Sequence, residues 1–477
     1  MSFLQKLKQN HKYFLIKIIK FFEILFALII IVLIEILYPI LFLGLNFNNL
    51  NLLYFIYPLF TLLLFLIYST SVTNKSYTTV IKSVFLSLII ARVISTIISF
   101  NIDIQNIIRI TIIQFICLAI FKYILWKILK KKNIKTVLIC GPEEEVQTLA
   151  SKFYIDTRHL KKIKFLYYEL VGIIDNNIFK YIDKVDEVYL ARSLSEKNKN
   201  KIMIYCIAKK RINVYLVPKT YEIGIVNAGV SNIDDSLTFE VKTLHMSLGQ
   251  RFIKRALDII LSLTGLILLS PLFLIIAGFI KIQDKGPVFF KQERMTRYGK
   301  VFTLYKFRSM IVDAEKDTGA IQYQEDDPRV TKFGKFLRLV RLDELPQLIN
   351  VLKSEMSLVG PRALRVEEVN EFVKRKEEFK YRLNVKAGIT GFAQTIGNYA
   401  SDYEDKLRYD LYYIRKYSLW LDILIILYTI RIIFSKSSSK GVADKKSLAE
   451  LVKEKGERIV KINSVVERIE ETNQVED

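Results

Sequence analysis

Long unbroken apolar stretches dominate the first 130 positions. One runs from Ile24 to about Leu45, and others cover about 51–69, 78–100 and 105–129. Each is near the ~20 residues that a helix needs to cross a bilayer, so the pattern predicts four spans, a four-helix transmembrane domain over residues 1–133. The first stretch is too long for a signal-peptide core and lacks a small-residue cleavage site, so it is expected to remain as a span. Lys6, Lys8, Lys12, Lys17 and Lys20 precede the first span, and Lys127, Lys130, Lys131 and Lys132 follow the fourth. The loops between are nearly uncharged, which puts both ends of the domain in the cytoplasm by the positive-inside rule. Glu35, Arg92 and Arg109 lie within or near the spans, where both a functional role and pairing between helices are open.

From Asn133 the apolar stretches shorten. "KTVLICGPEEEVQTLASKF" reads as a buried strand, a glycine turn and a helix, and "YELVGIID", "DEVYLA" and "INVYLVP" as further strands. Residues 134–245 are therefore expected to form a Rossmann-like α/β domain. The first turn carries only Gly141, followed by Pro142 and three glutamates, where a dinucleotide fingerprint would place G-x-G-x-x-G. Those acids would repel a pyrophosphate, so no dinucleotide is expected there.

The next apolar stretch, residues 259–280, is long enough to span, yet Ser270-Pro271 falls at its middle. Proline removes a helix hydrogen bond and kinks the chain. Lys254 and Arg255 precede the stretch and Lys281 and Lys285 follow it, so both flanks are basic. Two arms of about eleven residues reach only ~17 Å each. A re-entrant helix over 256–282, broken at Ser270-Pro271, is expected in preference to a kinked span, which would put residues 283–435 outside. Beyond it, 283–418 reads as soluble. Residues 418–434 are apolar but interrupted by Asp422 and Arg431, which suits an interfacial helix. "SKSSSKG" reads as a linker into a charged tail, 436–477, where Ile459, Ile462, Val466 and Ile469 have the spacing of a very short coiled coil.

Composition sharpens this picture. The chain of 477 residues is 51% hydrophobic and carries 71 Lys+Arg against 48 Asp+Glu, a net charge of +23. Excess positive charge beside membrane-length stretches points to a lipid surface or phosphorylated ligands, and away from nucleic acid. Cys117, Cys140 and Cys206 are far apart in apolar surroundings and read as reduced core or lipid-facing residues. With His11, His159 and His245 scattered, histidine-based metal or triad chemistry has little support.

Candidate chemistry gathers after residue 288. "FFKQERMTRYGKVFTLYKFRSM" supplies Lys291, Arg294, Lys306 and Arg308; "DPRVTKFGKFLRLVRLDELPQL" supplies Arg329, Arg338, Asp343 and Glu344. "SLVGPRALR" adds Arg362, and "RLNVKAGITGFAQ" adds Arg382 and Lys386 beside Gly388 and Gly391. Guanidiniums beside turn glycines suit bidentate contacts to phosphate. Adjacent Asp343 and Glu344, just before Pro346, have two readings. They complement a helix N-terminus, or they divide the work of a phosphoryl-transfer site, one attacking phosphorus and one holding Mg²⁺.

"KRALDIILSLTGLILLSPLFLIIA", "YKFRSM", "RLDELPQLINVLKSEMSLVGPR" and "KAGITGFAQ", in this order, resemble the bacterial sugar transferase family, the monotopic polyprenyl-phosphate glycosyl-phosphotransferases, over about 250–435. The upstream segments resemble the family's long form, exemplified by undecaprenyl-phosphate galactose phosphotransferases. The resemblance implies transfer of a sugar-1-phosphate from a UDP-sugar to undecaprenyl phosphate, through a covalent aspartyl intermediate. Such transfer primes exopolysaccharide, capsule or O-antigen synthesis at the cytoplasmic face of the bacterial inner membrane, with a homodimer as a further state. Carried over, Asp343 is the nucleophile and Glu344 the Mg²⁺ ligand. Arg338 and Arg362 match arginines that support the site and its phosphates, Ser270-Pro271 is the re-entrant break, and Lys254-Arg255 is a basic pair at the membrane edge. Arg294, Lys306, Arg308 and Arg382, read from the basic motifs themselves, are expected to join them on the substrate phosphates. Ala363, Ala387, Val340-Arg341 and Thr296 depart from the family pattern, which bears on local rigidity and sugar selectivity. The rival expectation is a non-catalytic scaffold that binds nucleotide sugars, for which an intact Asp343-Glu344 pair has no use.

Overall fold

The computed structural model describes residues 2–43, 53–68, 77–99, 104–130, 135–155, 161–169, 175, 177–210, 212–241, 243–312, 314, 327–396, 402–433 and 446–472. The "SKSSSKG" linker lies outside them. Two compact units divide the chain: Met1–Val217 with Lys446–Asp477, and Pro218–Lys445.

The first unit begins with helices α1 (Ser2–Leu43), α2 (Leu53–Tyr68), α3 (Tyr77–Ser99) and α4 (Ile104–Lys130). Among the described residues, Lys20–Tyr38 of α1 and Gln105–Ile128 of α4 are long and apolar enough to cross a membrane. A buried polar cluster joins all four helices. Arg92 of α3 donates to both carboxylate oxygens of Glu35 of α1 at 2.7 and 2.8 Å. Gln114 of α4 donates to the same carboxylate at 2.7 Å and accepts from the Tyr57 hydroxyl of α2 at 2.9 Å. Glu23 and Lys122 form a second fully buried pair, 2.6 Å apart, between α1 and α4. Losing one partner of such a pair would strand the other charge, at a cost of about 3–5 kcal/mol. Of the three sequence-flagged charges, Glu35 and Arg92 pair with each other, and Arg109 is exposed.

The α/β part follows as β1 (Lys135–Gly141), α5 (Glu143–Ile155), β2 (Lys161–Tyr168), α6 (Ile178–Ile182), β3 (Glu187–Leu190), α7 (Glu196–Ile204) and β4 (Asn213–Leu216). Strands β2, β1, β3 and β4 pair in parallel, as suits buried apolar runs joined by helices. β2 ends at Tyr168, the first residue of the expected strand "YELVGIID", most of which lies outside the described residues. Gly141 serves packing: a Cβ there would lie 2.3 Å from the Cβ of Ala191 at the end of β3. Glu145 in the first turn of α5 accepts from the Ser193 amide at 3.0 Å and its hydroxyl at 2.6 Å, so the loop after β3 already holds a carboxylate.

The second unit contains α8 (Thr220–Ile225), the hairpin β5 (Gly229–Ile233) and β6 (Ser236–Glu240), then α9 (Leu248–Asp284). Hairpin β7 (Phe289–Met295) and β8 (Val301–Phe307) leads to α10 (Lys332–Leu339), α11 (Gln347–Leu352), β9 (Ser357–Val359) and α12 (Val366–Arg375). β10 (Gly388–Thr390) pairs in parallel with β9, before α13 (Phe392–Ile396), α14 (Tyr403–Arg415) and α15 (Leu419–Ile433). The core of Val359, Phe379, Leu407, Leu411, Tyr413 and Ile425 ties β9 to α14 and α15. Gly360 and Gly388 face each other so closely that a Cβ on Gly388 would lie 2.1 Å from the Gly360 nitrogen. These glycines allow two backbones to meet.

α9 opens with a capping box, Ser247 with Gln250, and is the third helix long and apolar enough to span. It runs as one helix through Ser270-Pro271, where a break was expected. Pro271 has no N–H for the Ile267 carbonyl, and the Ser270 hydroxyl donates to that carbonyl instead, at 2.8 Å. The Ser-Pro pair thus keeps the helix hydrogen-bonded where proline would leave an orphan acceptor.

The charged tail, whose apolar spacing matched at most a very short coiled coil, folds otherwise. α16 (Leu448–Glu454) packs on α5, and β11 (Glu457–Lys461) and β12 (Val466–Glu471) form a hairpin that joins the sheet of the first unit. The sheet order is β11-β12-β2-β1-β3-β4, with β12 antiparallel to β2.

Candidate active site

Asp343 and Glu344 occupy a single 3₁₀ turn, Leu342–Glu344, between α10 and α11. Arg341 precedes them with a left-handed φ of 59°, an uncommon state for a residue with a side chain. That reversal ends α10 and turns Asp343 inward, where it is 7% exposed. Pro346 then starts α11, as its position predicts.

The two acids have opposite environments. Glu344 Oε1 accepts from Lys306 Nζ at 2.8 Å and lies 3.4 Å from Arg362 Nη2. Burial would raise its carboxyl pKa, but Lys306, Arg362 and Arg341 together outweigh burial and hold it far below the ordinary carboxylate range. Asp343 Oδ1 is buried with no hydrogen-bond partner among the described residues. Burial pushes its pKa up, opposed by Lys306, reinforced by Glu344, and opposed again by Arg338 and Arg341. One carboxylate is clamped by cations; the other keeps an undonated oxygen.

The elements behind this pair are tightly joined. Asn350 of α11 donates to the Thr303 carbonyl at 2.7 Å and accepts from the Tyr305 amide at 3.0 Å. It therefore fixes β8, which carries Lys306, against the helix that follows Glu344. Arg255 of α9 donates to the last carbonyls of α11, Val351 at 2.6 Å and Leu352 at 2.9 Å.

No cluster of three or more His, Cys, Asp or Glu side chains able to hold a metal occurs among the described residues. Mg²⁺ commonly takes only one or two carboxylates, with water and substrate phosphate completing its shell. Adjacent Asp343 and Glu344, one with an undonated oxygen, meet that lower requirement.

The sequence profile of the bacterial sugar transferase family matches residues 249–436, which contain this whole arrangement. These residues belong to the bacterial sugar transferase family. The chain is 42% identical over 219 residues to a UDP-N-acetylgalactosamine-undecaprenyl-phosphate N-acetylgalactosaminephosphotransferase of Aeromonas hydrophila, covering 43% of this chain and 52% of that protein. It is 36% identical over 252 residues to a UDP-glucose:undecaprenyl-phosphate glucose-1-phosphate transferase of Escherichia coli strain K12, covering 52% and 54%. To the undecaprenyl-phosphate galactose phosphotransferase of Salmonella typhimurium it is 30% identical over 286 residues, covering 56% and 59%. The chain thus spans just over half the length of these relatives.

Within the transferase segment the sequence-flagged cations divide into groups. Lys306 and Arg362 reach Glu344, as above. Arg338 donates Nε to Ser309 Oγ at 2.8 Å, and its charge acts on Asp343. Arg294 donates to the Ala363 carbonyl at 3.2 Å, and burial followed by the Arg362 charge lowers its pKa to about 10. Arg308 is buried with its guanidinium against Gly286, where a Cβ would come within 2.0 Å of Nη1. Arg382, expected at the phosphates, is instead buried in an ion pair with Asp410 at 3.0 Å. Lys254 and Arg255, expected at the membrane edge, also turn into the transferase segment, Lys254 pairing with Asp422 at 2.6 Å. A buried cation needs a partner more than it needs a headgroup. Sequence reading missed Asn350, Asp410 and Asp422 as partners. Only Asp422 left a trace, as an acid stranded in an apolar run.

Proposed function

We propose that this protein transfers a sugar-1-phosphate from a UDP-sugar to undecaprenyl phosphate through an aspartyl intermediate, priming synthesis of an exopolysaccharide, capsule or O-antigen. The observation that carries this reading is the unpartnered, buried Asp343 oxygen beside a Glu344 held by Lys306 and Arg362. A carboxylate without donors keeps its lone pairs for attack. Asp343 attacks the sugar-bearing phosphorus, the bond from that phosphorus to the bridging oxygen breaks, and UMP leaves with the electron pair. An oxygen of the lipid phosphate then attacks the same phosphorus and releases the Asp343 carboxylate, giving undecaprenyl diphosphate-sugar. Lys306, Arg338 and Arg362 offset the charge that develops on the phosphoryl oxygens. Mg²⁺, held by Glu344, would supply further charge neutralisation on the diphosphate.

The relatives' names, each a transfer from a UDP-sugar or to undecaprenyl phosphate, support the substrate class. Purified protein mixed with undecaprenyl phosphate and a panel of UDP-sugars should release UMP with at least one of them, and chelation should stop it until Mg²⁺ is restored. Nucleotide-sugar binding without UMP release from any of them would favour the scaffold reading. Release indifferent to chelator would remove the metal.

In this reading the four N-terminal helices span the cytoplasmic membrane, and α9 enters and leaves from the cytoplasmic side. Support for re-entry comes from contacts along α9. Its first arm is tied to the transferase segment by Lys254, Arg255 and Asp258, and a Cβ on Gly265 would meet Leu348. Its second arm packs Leu272, Phe273, Ile276 and Ile280 against Phe307 and Leu337. The stretch between Gly265 and Leu272 covers about 10 Å at 1.5 Å per residue, against a hydrocarbon core of ~30 Å. Ile260, Ile267, Leu268, Leu274, Ile275 and Ile282 stay exposed, as a lipid-facing side would be. In a chain cleared of its own cysteines, new cysteines at Leu248 and Lys285 should both label from the cytoplasmic side. Labelling of Lys285 from the opposite side would make α9 a span and remove the re-entrant arrangement.

A further inference from the structure

Arg382 and Asp410 lie outside the chemistry above, yet they are buried at 4% and 3% exposure of their side chains and lead directly to it. Arg382 is restrained on three sides. Its Nε donates to Asp410 Oδ2 at 3.0 Å, its Nη2 donates to the main-chain carbonyl of Arg362 at 2.8 Å, and its guanidinium lies over the Phe379 ring at 5.2 Å. Asp410 is buried on α14, whose Leu407, Leu411 and Tyr413 enter the core that fixes β9. The carbonyl that Arg382 holds belongs to the residue whose side chain approaches Glu344 at 3.4 Å. The same short loop is held again at Pro361, whose carbonyl accepts from Gly388, and at Ala363, whose carbonyl accepts from Arg294.

We propose that Arg382 and Asp410 are positioning residues: they fix the backbone of Arg362 so that its guanidinium meets the diphosphate beside Glu344. This inference rests on the phosphotransfer reading of that site. The Arg362 side chain is 41% exposed and has several rotatable bonds, so without a fixed backbone its guanidinium would have to be ordered by the ligand itself. Arginine suits the tether because its planar fork bonds a carboxylate and a carbonyl at once. A lysine ammonium could keep the Asp410 pair but would lose that two-way geometry.

The test is a double-mutant cycle read by UDP affinity in titration calorimetry, and by kcat and KM for the UDP-sugar. Arg362→Gln is expected to weaken UDP binding about 10- to 100-fold, in the range for losing a charge-assisted contact. Arg382→Lys is expected to weaken it by a similar factor, raising KM more than it lowers kcat, with a melting temperature near that of the wild type. The double variant should bind no worse than the poorer single variant, within about twofold, because Arg382 acts through Arg362. Should Arg382→Lys fail to fold, Asp410→Asn takes its place in the cycle, and the same non-additivity is expected. Wild-type UDP affinity in both Arg382→Lys and Asp410→Asn, or single effects that multiply in the double variant, would overturn the proposal. Wild-type protein that binds UDP but releases no UMP would overturn the phosphotransfer reading while the binding cycle still judges the positioning role. A wild type with no UDP affinity would overturn both.

Discussion

Under the proposed mechanism, replacing Asp343 with Asn should abolish UMP release and, at neutral pH, raise the melting temperature. The loss of activity follows from chemistry: an amide cannot attack phosphorus in place of a carboxylate, and removing a nucleophile costs at least about 10⁴-fold in rate. The gain in stability follows from burial. Asp343 has a raised pKa because desolvation, reinforced by Glu344, outweighs the attraction of Lys306, Arg338 and Arg341. The folded protein therefore holds the proton more tightly than the unfolded chain does. Stability associated with Asp343 is present below its unfolded pKa of ~3.9, falls as pH rises toward the folded value, and stays lower above it. Asparagine keeps the shape and removes the charge, so its advantage should vanish in acid, where Asp343 is protonated too. Glu344 has the opposite sign: its lowered pKa contributes stability above the ordinary carboxylate range that is lost as pH falls. Calorimetric scans of both proteins from acid to neutral pH, with mass spectrometry of the wild type after exposure to UDP-sugar, decide the matter. A lower melting temperature for the Asn variant at neutral pH would contradict the desolvation argument. A sugar-phosphate adduct on another residue would remove Asp343 as nucleophile.

That site was legible in sequence because its parts lie in short, contiguous patterns: "RLDELPQL" carries both acids, and Lys306 and Arg362 stand in separate motifs that the fold brings to Glu344. Pairings across the chain were not legible. Hydrophobic period states which face of an element is buried but not what covers it, so Lys254 gave no sign of Asp422, nor Arg382 of Asp410. The tail shows how period can mislead. Val466 and Ile469 are three residues apart, which in a helix places them on one face. They lie in a strand, where an odd spacing points to opposite faces. Val466 enters the core beside Leu138 and Phe165, and Ile469 the core beside Val137 and Val146. A strand covered on both sides buries residues at spacings that imitate a helix.

That placement gives the second large effect: removing residues 446–477 should unfold the sheet of the first unit. The tail supplies two of its six strands, and without them β2 becomes an edge. It also supplies the buried side chains Leu448, Leu451, Val452, Val466 and Ile469. At about 1.5–3 kcal/mol for each buried aliphatic side chain, their loss approaches or exceeds ~10 kcal/mol, the whole stability of a typical domain. Charge contacts go with them: Lys162 loses Glu457 and Glu471, and Tyr168 loses the Glu467 carboxylate it bonds at 2.6 Å. The transferase segment keeps its cores, since Val359, Phe379, Leu411, Phe307 and Leu337 pack against residues of their own unit. Hydrogen exchange on the truncated protein should therefore show protection lost in strands β1 to β4 and retained in α9, α11, β9 and α14. Undiminished protection of β1 and β2 would mean that the four parallel strands stand without the tail. Restoring residues 446–477 as a separate peptide should recover that protection if the hairpin acts by completing the sheet.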